Sequence, residues 1–398
     1  MTILPMTILS AQSDLPAFRQ AIRDWLAEVV PAGWKANMTR ASNEEFIAFQ
    51  RWWMAERSKV GLAIPHWPRE YGGAGLTLQH LIVIADEMAR ADAPQARMFT
   101  ISLIHLPGTL FPHGTEAQKR RYLAGVAKGD VWCQGFSEPN SGSDLASLRC
   151  RAVRDGDHYV INGQKIWSSY SMYADHCILL TRTDPDAQKH RGITYFIMDM
   201  RSSGVEVRPI RQANGRSEFG EIFLTNVRIP AENMIGRENN GWRVAQATLA
   251  SERGVIAFEG AERQRYEVEA FYRQSLESDA AWLQDDQLRR EFMGFLAEIQ
   301  AGRRLLRRVL EESESPEASA SVLPSIVKLS GTVLRQRICS FMTRIAGVEG
   351  QEFTMLAEEP FGSPMFDFLS AFSGTIAGGT NEIQRNIVAE RGLGMPRV

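Results

Sequence analysis

The run D-G-D-H-Y-V-I-N-G-Q-K-I-W at residues 155–167 decides the fold class. Its apolar residues alternate with polar ones, the period of a pleated strand with one buried face. Two turn signals, Asp155-Gly156 and Asn162-Gly163, punctuate the alternation, so the stretch reads as hairpins. Further strand-like runs follow at 177–183, 192–199, 205–210 and 221–229. Their close spacing leaves no room for crossover helices. That predicts an antiparallel barrel or sandwich rather than a parallel sheet.

On both sides the period changes to that of helices. Leu15, Phe18, Ile22, Trp25, Leu26 and Val29 share one helical face, and Pro31 stops the run. Ser42-x-x-Glu45 and Thr115-x-x-Gln118 have the spacing of capping boxes, and Gly61 is placed to end the first of those helices. From Trp242 the helical period returns, interrupted by an acidic, Ser-rich break at 311–321. The expected architecture is α+β and multidomain. It comprises an N-terminal helical domain (1–130), a central antiparallel β domain (131–240) and a C-terminal helical bundle (241–398).

The bulk composition excludes several function classes. At 398 residues, with 44% hydrophobic and 23% charged residues, the chain has room for a large buried core. A net charge of −2 gives no field for nucleic acid or a membrane surface. The one basic cluster, Arg303, Arg304, Arg307 and Arg308, has the spacing of one side of a helix and reads as a solvated or interfacial face. The four cysteines (Cys133, Cys150, Cys177 and Cys339) form no C-x-x-C pair, and the seven histidines show no ligand spacing. Reduced thiols in a cytoplasmic protein without a metal are expected. No apolar stretch reaches the ~20 residues of a spanning helix, and no G-x-G-x-x-G follows a strand, so a Rossmann nucleotide site is unsupported.

Four strings carry chemistry. W-C-Q-G-F-S-E-P-N-S-G-S-D-L (132–145), N-G-Q-K-I-W-S-S (162–169), E-I-F-L-T-N-V-R-I-P (221–230) and I-A-G-G-T-N-E-I-Q-R-N-I-V-A-E-R (376–391) occur in this order. Together they resemble the signatures of the acyl-CoA dehydrogenases over nearly the whole chain. The resemblance implies FAD, an acyl-CoA substrate, lipid metabolism such as fatty acid or steroid degradation, and transfer of electrons to an electron-transfer flavoprotein. It assigns cofactor contacts to Gln134, Phe136, Ser137, Gly142, Ser143, Trp167, Ser168, Ser169, Thr380, Asn381 and Glu382, and substrate contacts to Ser143, Arg253 and Gly379. The residue types suit a flavin, whose planar ring needs neutral donors at its polar edge and one open face. Plainer roles stay open: Trp167 as a core aromatic, Ser143 as a turn residue, and Glu382 as a helix-start carboxylate placed by the dipole.

In many members of that family the residue before G-T is the glutamate that removes the substrate's α-proton. Here it is Gly378. By resemblance, Gly378 keeps the backbone N–H that polarises the thioester oxygen, and a flavin ribityl hydroxyl is the second donor. L-A-S-E-R-G (249–254) reads as opening the first helix after the β domain, and Glu252 matches the position where some relatives carry the base. The alternative for Glu252 is an ordinary helix ion-pair residue. The vacancy left by the absent side chain at 378 favours branched or bulky acyl groups.

Two segments depart from the family pattern. R-Q-S-L-E-S-D-A-A-W-L-Q-D-D (273–286) lacks R-x-x-F-G, and R-I-A-G-V-E-G (344–350) keeps only Gly347 and Gly350 of Q-x-x-G-G-x-G. Both normally complete the flavin site across a subunit interface. The combination resembles one subunit type of the heteromeric steroid-side-chain enzymes, so a homo-oligomer or a heterotetramer with a second dehydrogenase-like subunit is expected. Two other readings remain: a flavin monooxygenase or nitroalkane-type oxidase of the same fold, and a non-catalytic subunit of a heteromeric enzyme.

Overall fold

The computed structural model describes residues 8, 14–39, 41–251, 255–312, 321–351 and 363–396. The chain divides into two compact units, one of Phe46–Gly75 and Gln95–Glu252, the other of Met1–Glu45, Leu76–Pro94 and Arg253–Val398.

In the first unit the N-terminal helices are α3 (Asn43–Lys59), α5 (Leu106–His113), α6 (Glu116–Gln118) and α7 (Ala124–Ala127). Both expected capping boxes form. The Glu45 N–H donates to Ser42 Oγ while Glu45 Oε2 accepts from the Ser42 N–H, and Thr115 and Gln118 do the same. Eight strands follow: β1 (Trp132–Gly135), β2 (Arg151–Asp155), β3 (His158–Ser169), β4 (His176–Arg182), β5 (Ile193–Asp199), β6 (Val205–Ile210), β7 (Phe219–Pro230) and β8 (Met234–Ile235). Their order is β6-β7-β3-β2-β4-β5-β8, with β1 beside β4. Helix α8 (Gly241–Ser251) closes the unit.

Most pairs are antiparallel, as the spacing predicts, but β1 and β4 run parallel, as does the single β2–β4 register pair, Arg151 with Arg182. The reason is topological: the chain reaches β4 from β1 through β2 and β3 and returns in the same direction.

A second expectation is also corrected. Asn162-Gly163 is no hairpin turn; it lies inside the twelve-residue β3, at a register shift against β7. Asn162 exchanges hydrogen bonds with Asn226 across that shift, accepting from the Asn226 N–H at 2.9 Å. The dipeptide therefore makes a bulge rather than a reversal. Asp155-Gly156 does turn the chain, with Asp155 opposite His158.

Alternation along β4 and β5 builds two cores. Cys177, Leu179, Phe196 and Met198 meet Tyr159, Ile161, Ile222 and Val227 between the two halves of the sheet. Ile178, Leu180, Tyr195 and Ile197 face Leu106, Leu110, Val126, Val244 and Ala245 of the helices. Strands buried on both faces read as continuous apolar runs, hence C-I-L-L in β4 and I-T-Y-F-I-M in β5.

The second unit contains α1 (Leu15–Val29), α2 (Trp34–Thr39), α4 (Leu78–Arg90), α9 (Val255–Glu277), α10 (Asp286–Glu312), α11 (Leu323–Ile345), α12 (Pro364–Ile376) and α13 (Asn381–Ile387). Ile82, Phe258, Leu306 and Leu310 form one core there, and Trp282, Phe292, Phe295 and Phe341 another. Of the basic cluster on α10, Arg304, Arg307 and Arg308 are exposed, while Arg303 bonds the buried Glu262. The string 249–254 is also corrected. Its first three residues are the last turn of α8, because the helical period starts at Gly241.

Candidate active site

The β unit gathers the predicted cofactor residues of the second quarter of the chain around one loop and one bulge. After β1, Glu138 and Ser141 pair through both backbone N–H groups across a Pro139-Asn140 turn. Ser141 Oγ meets Ser147 Oγ at 2.6 Å, and Gly142 and Ser143 are left exposed at the tip. Glu138 anchors this loop. Its carboxylate accepts from the Arg149 N–H (2.6 Å), the Cys150 N–H (2.8 Å) and Lys165 Nζ (2.8 Å). Lys165, fully buried on β3, also donates to the Phe136 carbonyl at 3.0 Å. Phe136 itself is buried, edge-on to Tyr195, so only its backbone is offered to a ligand. Gln134 is half-buried and its side chain bonds His105. Burial pushes the His105 imidazole down to about 4, against the opposing effect of that bond, so the ring is neutral near pH 7.

Beside the loop, β3 is irregular. Between Lys165 and Ser168 the register with β7 shifts, and the Ile166 N–H leaves the ladder to donate to the Ser137 carbonyl at 2.9 Å. Trp167 sits at the shift with φ +60° and is 56% exposed, touching Phe219 edge-on. A left-handed backbone costs an aromatic residue roughly 1–2 kcal/mol, and a large exposed indole gains nothing from water. The next residue, Ser168, is fully buried, and its Oγ has no partner among the described residues. Ser169 is half-buried opposite Phe219. A large aromatic exposed on left-handed backbone is the arrangement of a surface completed by a ligand.

In the helical unit the predicted residues form a tight turn. Gly378 and Gly379 are both left-handed (φ +63° and +82°), a pair that only glycine adopts cheaply. Gln384 Nε2 donates to the Gly378 carbonyl at 3.0 Å and, more weakly, to that of Gly379 at 3.4 Å. Neither glycine N–H donates to another described residue. Thr380 N-caps α13 by accepting from the Ile383 N–H. The Asn381 side chain is turned into the bundle, its Oδ1 accepting from Lys328 Nζ (2.9 Å) and Thr332 Oγ1 (3.1 Å). Glu382 is solvent-facing. Bonding to its own backbone N–H, with help from Thr380 and Arg385, holds its carboxyl below the ordinary value. Glu252 and Arg253 lie outside the described residues.

The family models for the acyl-CoA dehydrogenase N-terminal, middle and C-terminal domains match residues 12–130, 133–227 and 239–393. The chain belongs to the acyl-CoA dehydrogenase family. It is thus an oxidoreductase acting on a CH–CH group, from a family of flavoproteins. Acyl-CoA dehydrogenase IpdE1 of Mycobacterium tuberculosis is 36% identical over 390 residues, covering 96% of this dehydrogenase and 98% of its own length. FadE34 of the same organism is 39% identical over 342 residues, 85% of this chain and 45% of FadE34. Among solved structures, the Tcur3481-Tcur3483 steroid ACAD superposes with a TM-score of 0.83 at 29% identity, covering 97% of this chain and 98% of that one. The ChsE4-ChsE5 complex from Mycobacterium tuberculosis gives 0.76 at 28% identity, with 97% and 98% covered.

Sequence reading missed two supports of this acyl-CoA dehydrogenase's site, Lys165 with Glu138, and the Gln384 clamp on the glycine turn. All three residues stand inside the quoted strings. A lysine at the same strand parity as Tyr159 and Ile161 is the signal that was available for the first. None was available for the second.

Proposed function

We propose that this chain catalyses FAD-dependent α,β-dehydrogenation of an acyl-CoA thioester, with a bulky or branched acyl group such as a steroid side chain, and passes the electrons to an electron-transfer flavoprotein. The observation that carries the flavin reading is the Trp167–Ser168 bulge, where an exposed indole adjoins a buried hydroxyl without a partner. A planar ring laid against the indole covers it. Bound flavin supplies the acceptor for the β-hydrogen, which leaves as hydride while the α,β double bond forms. The chain's own contribution is to take the α-proton and to stabilise the charge that develops on the thioester oxygen. We assign the first role to Glu252 and the second to the Gly378 N–H, which Gln384 leaves free by holding the carbonyls. A carboxylate at 378 would need a side chain on left-handed backbone, a further reason to look for the base elsewhere.

The heteromeric reading gains from the segment 273–286. In place of an outward-reaching R-x-x-F-G it packs Trp282 and Leu283 into the core of its own bundle. A partner subunit then completes the flavin site; the solved relatives are themselves two-component, a Tcur3481-Tcur3483 steroid ACAD and a ChsE4-ChsE5 complex. The domain boundaries at 130/131 and 240/241 and a cytoplasmic location belong to the same proposal. No described helix is long and apolar enough to cross a membrane.

The deciding experiment has two arms. Cofactor released from the enriched protein, alone or with its partner subunit, is expected to be FAD; FMN or no flavin under either condition overturns the reading. Glu252→Gln keeps shape but removes the proton acceptor, so flavin stays bound while its reduction by thioester slows ~10²–10⁴-fold. Bleaching at the parent rate overturns the assignment of the base.

A further inference from the structure

The Gly378 N–H can polarise a thioester well only if it already points in one direction when the substrate arrives. Its own backbone does not supply that. Two successive glycines carry no Cβ to restrict φ and ψ, so the turn at 378–379 is soft. Hydrogen bonds from outside have to fix it.

Those bonds come from both sides of the Ala377–Gly378 peptide. Before it, the Ala377 N–H donates to the Ser373 carbonyl at 2.9 Å and ends α12. After it, Gln384 Nε2 donates to the Gly378 carbonyl at 3.0 Å. Gln384 is 2% exposed, and its Oε1 is buried with no partner among the described residues. An apolar side chain would fill that space without stranding an oxygen, so the amide is placed for what its other end does. Position 379 protects the contact. A methyl group there would lie 2.8 Å from Gln384 Nε2, too close for the amide to stay.

Lys328 on α11 adds a second bracket. Its Nζ donates to the Thr375 carbonyl at 3.3 Å, in the last turn of α12, and to Asn381 Oδ1 at 2.9 Å, at the start of α13. Thr332 Oγ1, one turn further along α11, donates to the same Asn381 oxygen at 3.1 Å. One ammonium therefore ties both ends of the 376–380 segment to a single helix. The spacing of those ends is set by α11 rather than by the glycines between them.

We propose that Gln384 and Lys328 are positioning residues for the reaction: Gln384 sets the direction of the Gly378 N–H, and Lys328 the span of the turn that carries it. This rests on the reading of that N–H as the donor to the thioester oxygen. Both side chains act through the peptide. Their effect grows as charge develops on the oxygen, so it falls on the rate of reduction and on carbonyl polarisation rather than on affinity.

The test takes two measurements on the flavin-loaded assembly of the parent, Gln384→Met and Lys328→Met. The first is flavin reduction at saturation by whichever thioester in a panel of straight-chain, branched and steroid-side-chain CoA esters bleaches the parent fastest. The second is the thioester carbonyl stretching frequency of the corresponding enoyl-CoA product, labelled with carbon-13 at that carbon and bound to the oxidised enzyme. Hydrogen bonding at the oxygen lowers this frequency, and a general loss of stability does not. The parent is expected to lower it relative to free enoyl-CoA in water. Gln384→Met is expected to slow reduction by about 10–100-fold, less than the loss of an oxyanion donor itself. Most of the carbonyl shift should disappear with it, while affinity stays within about threefold. Lys328→Met should act in the same direction by about 3–10-fold. Parent-like rate and frequency in either variant overturn that residue's role and leave the donor in place. A slower rate with an unmoved frequency also counts against it, because the loss then lies elsewhere. A parent that leaves the carbonyl unshifted overturns the donor, and the positioning role with it. Should Gln384→Met not fold, Lys328→Met decides: a diminished shift supports the proposal, and a parent-like shift overturns it.

Discussion

Glu138 in the β-containing unit and Glu87 in the helical unit are both buried carboxylates, yet they are neutralised differently. Glu138 receives one lysine, Lys165, which is itself 0% exposed, and two backbone N–H groups. Glu87, on α4, receives Arg19 and Arg23 from α1 and Arg90 from its own helix, with side chains 32%, 41% and 38% exposed. The first arrangement closes a loop around a pair that is almost wholly out of water. The second ties helices together with charges that remain hydrated at one end. A buried pair has only its internal partners, so losing one leaves a bare charge; arginines at a surface return to water. The two units therefore differ in what a single substitution does.

The strongest way to break this comparison is Lys165→Met. It strands the Glu138 carboxylate and removes the donor to the Phe136 carbonyl, so unfolding free energy should fall by about 3–5 kcal/mol. Urea denaturation checks it, and a loss under ~1 kcal/mol would make the pair ornamental. Glu87→Gln should cost less, roughly 1–2 kcal/mol after discounting for exposed arginines. It also carries a pH signature. Burial acts to raise the Glu87 carboxyl, but hydrogen bonds from Arg23, Arg90 and Arg19 outweigh it and hold the group below its ordinary value. With a folded pKa below the unfolded one, this stabilisation is complete above the unfolded value of about 4.3 and is lost as the pH falls through the folded pKa. The stability curves of parent and Glu87→Gln should accordingly converge in acid; curves that stay parallel to pH 2 would assign the loss to packing. The smallest effect belongs to Ser168→Ala. Its Oγ has no partner among the described residues, so the flavin-free chain should unfold at the parent midpoint. Release of flavin, measured by fluorescence recovery, should also stay at the parent rate, because the hydroxyl is fully buried and out of a ligand's reach.

How much was legible in the sequence varied along the chain for physical reasons. Capping boxes at Ser42 and Thr115 were readable because cap and helix are neighbours in sequence. Strands β4 to β7 were readable because pleat alternation is local. Asn162-Gly163 misled because a turn dipeptide and a bulge have the same composition; only the partner Asn226 on β7 distinguishes them. The parallel β1–β4 pair could not be foreseen, since strand direction depends on where the intervening chain runs.

By itself the sequence determined the order of helices, strands and helices, the absence of a carboxylate at 378, and the four strings that place the chain in its family. These rest on local period, on residue identity, or on recurring residue types at fixed spacing. Tertiary structure alone decided that Lys165 and Glu138 lock the loop carrying Phe136, that Trp167 stands exposed on strained backbone beside an unsatisfied Ser168, and that Lys328 ties both ends of the glycine turn to α11. Each of these depends on two segments distant in sequence meeting within a few ångströms, and distance of that kind is set by packing rather than by pattern.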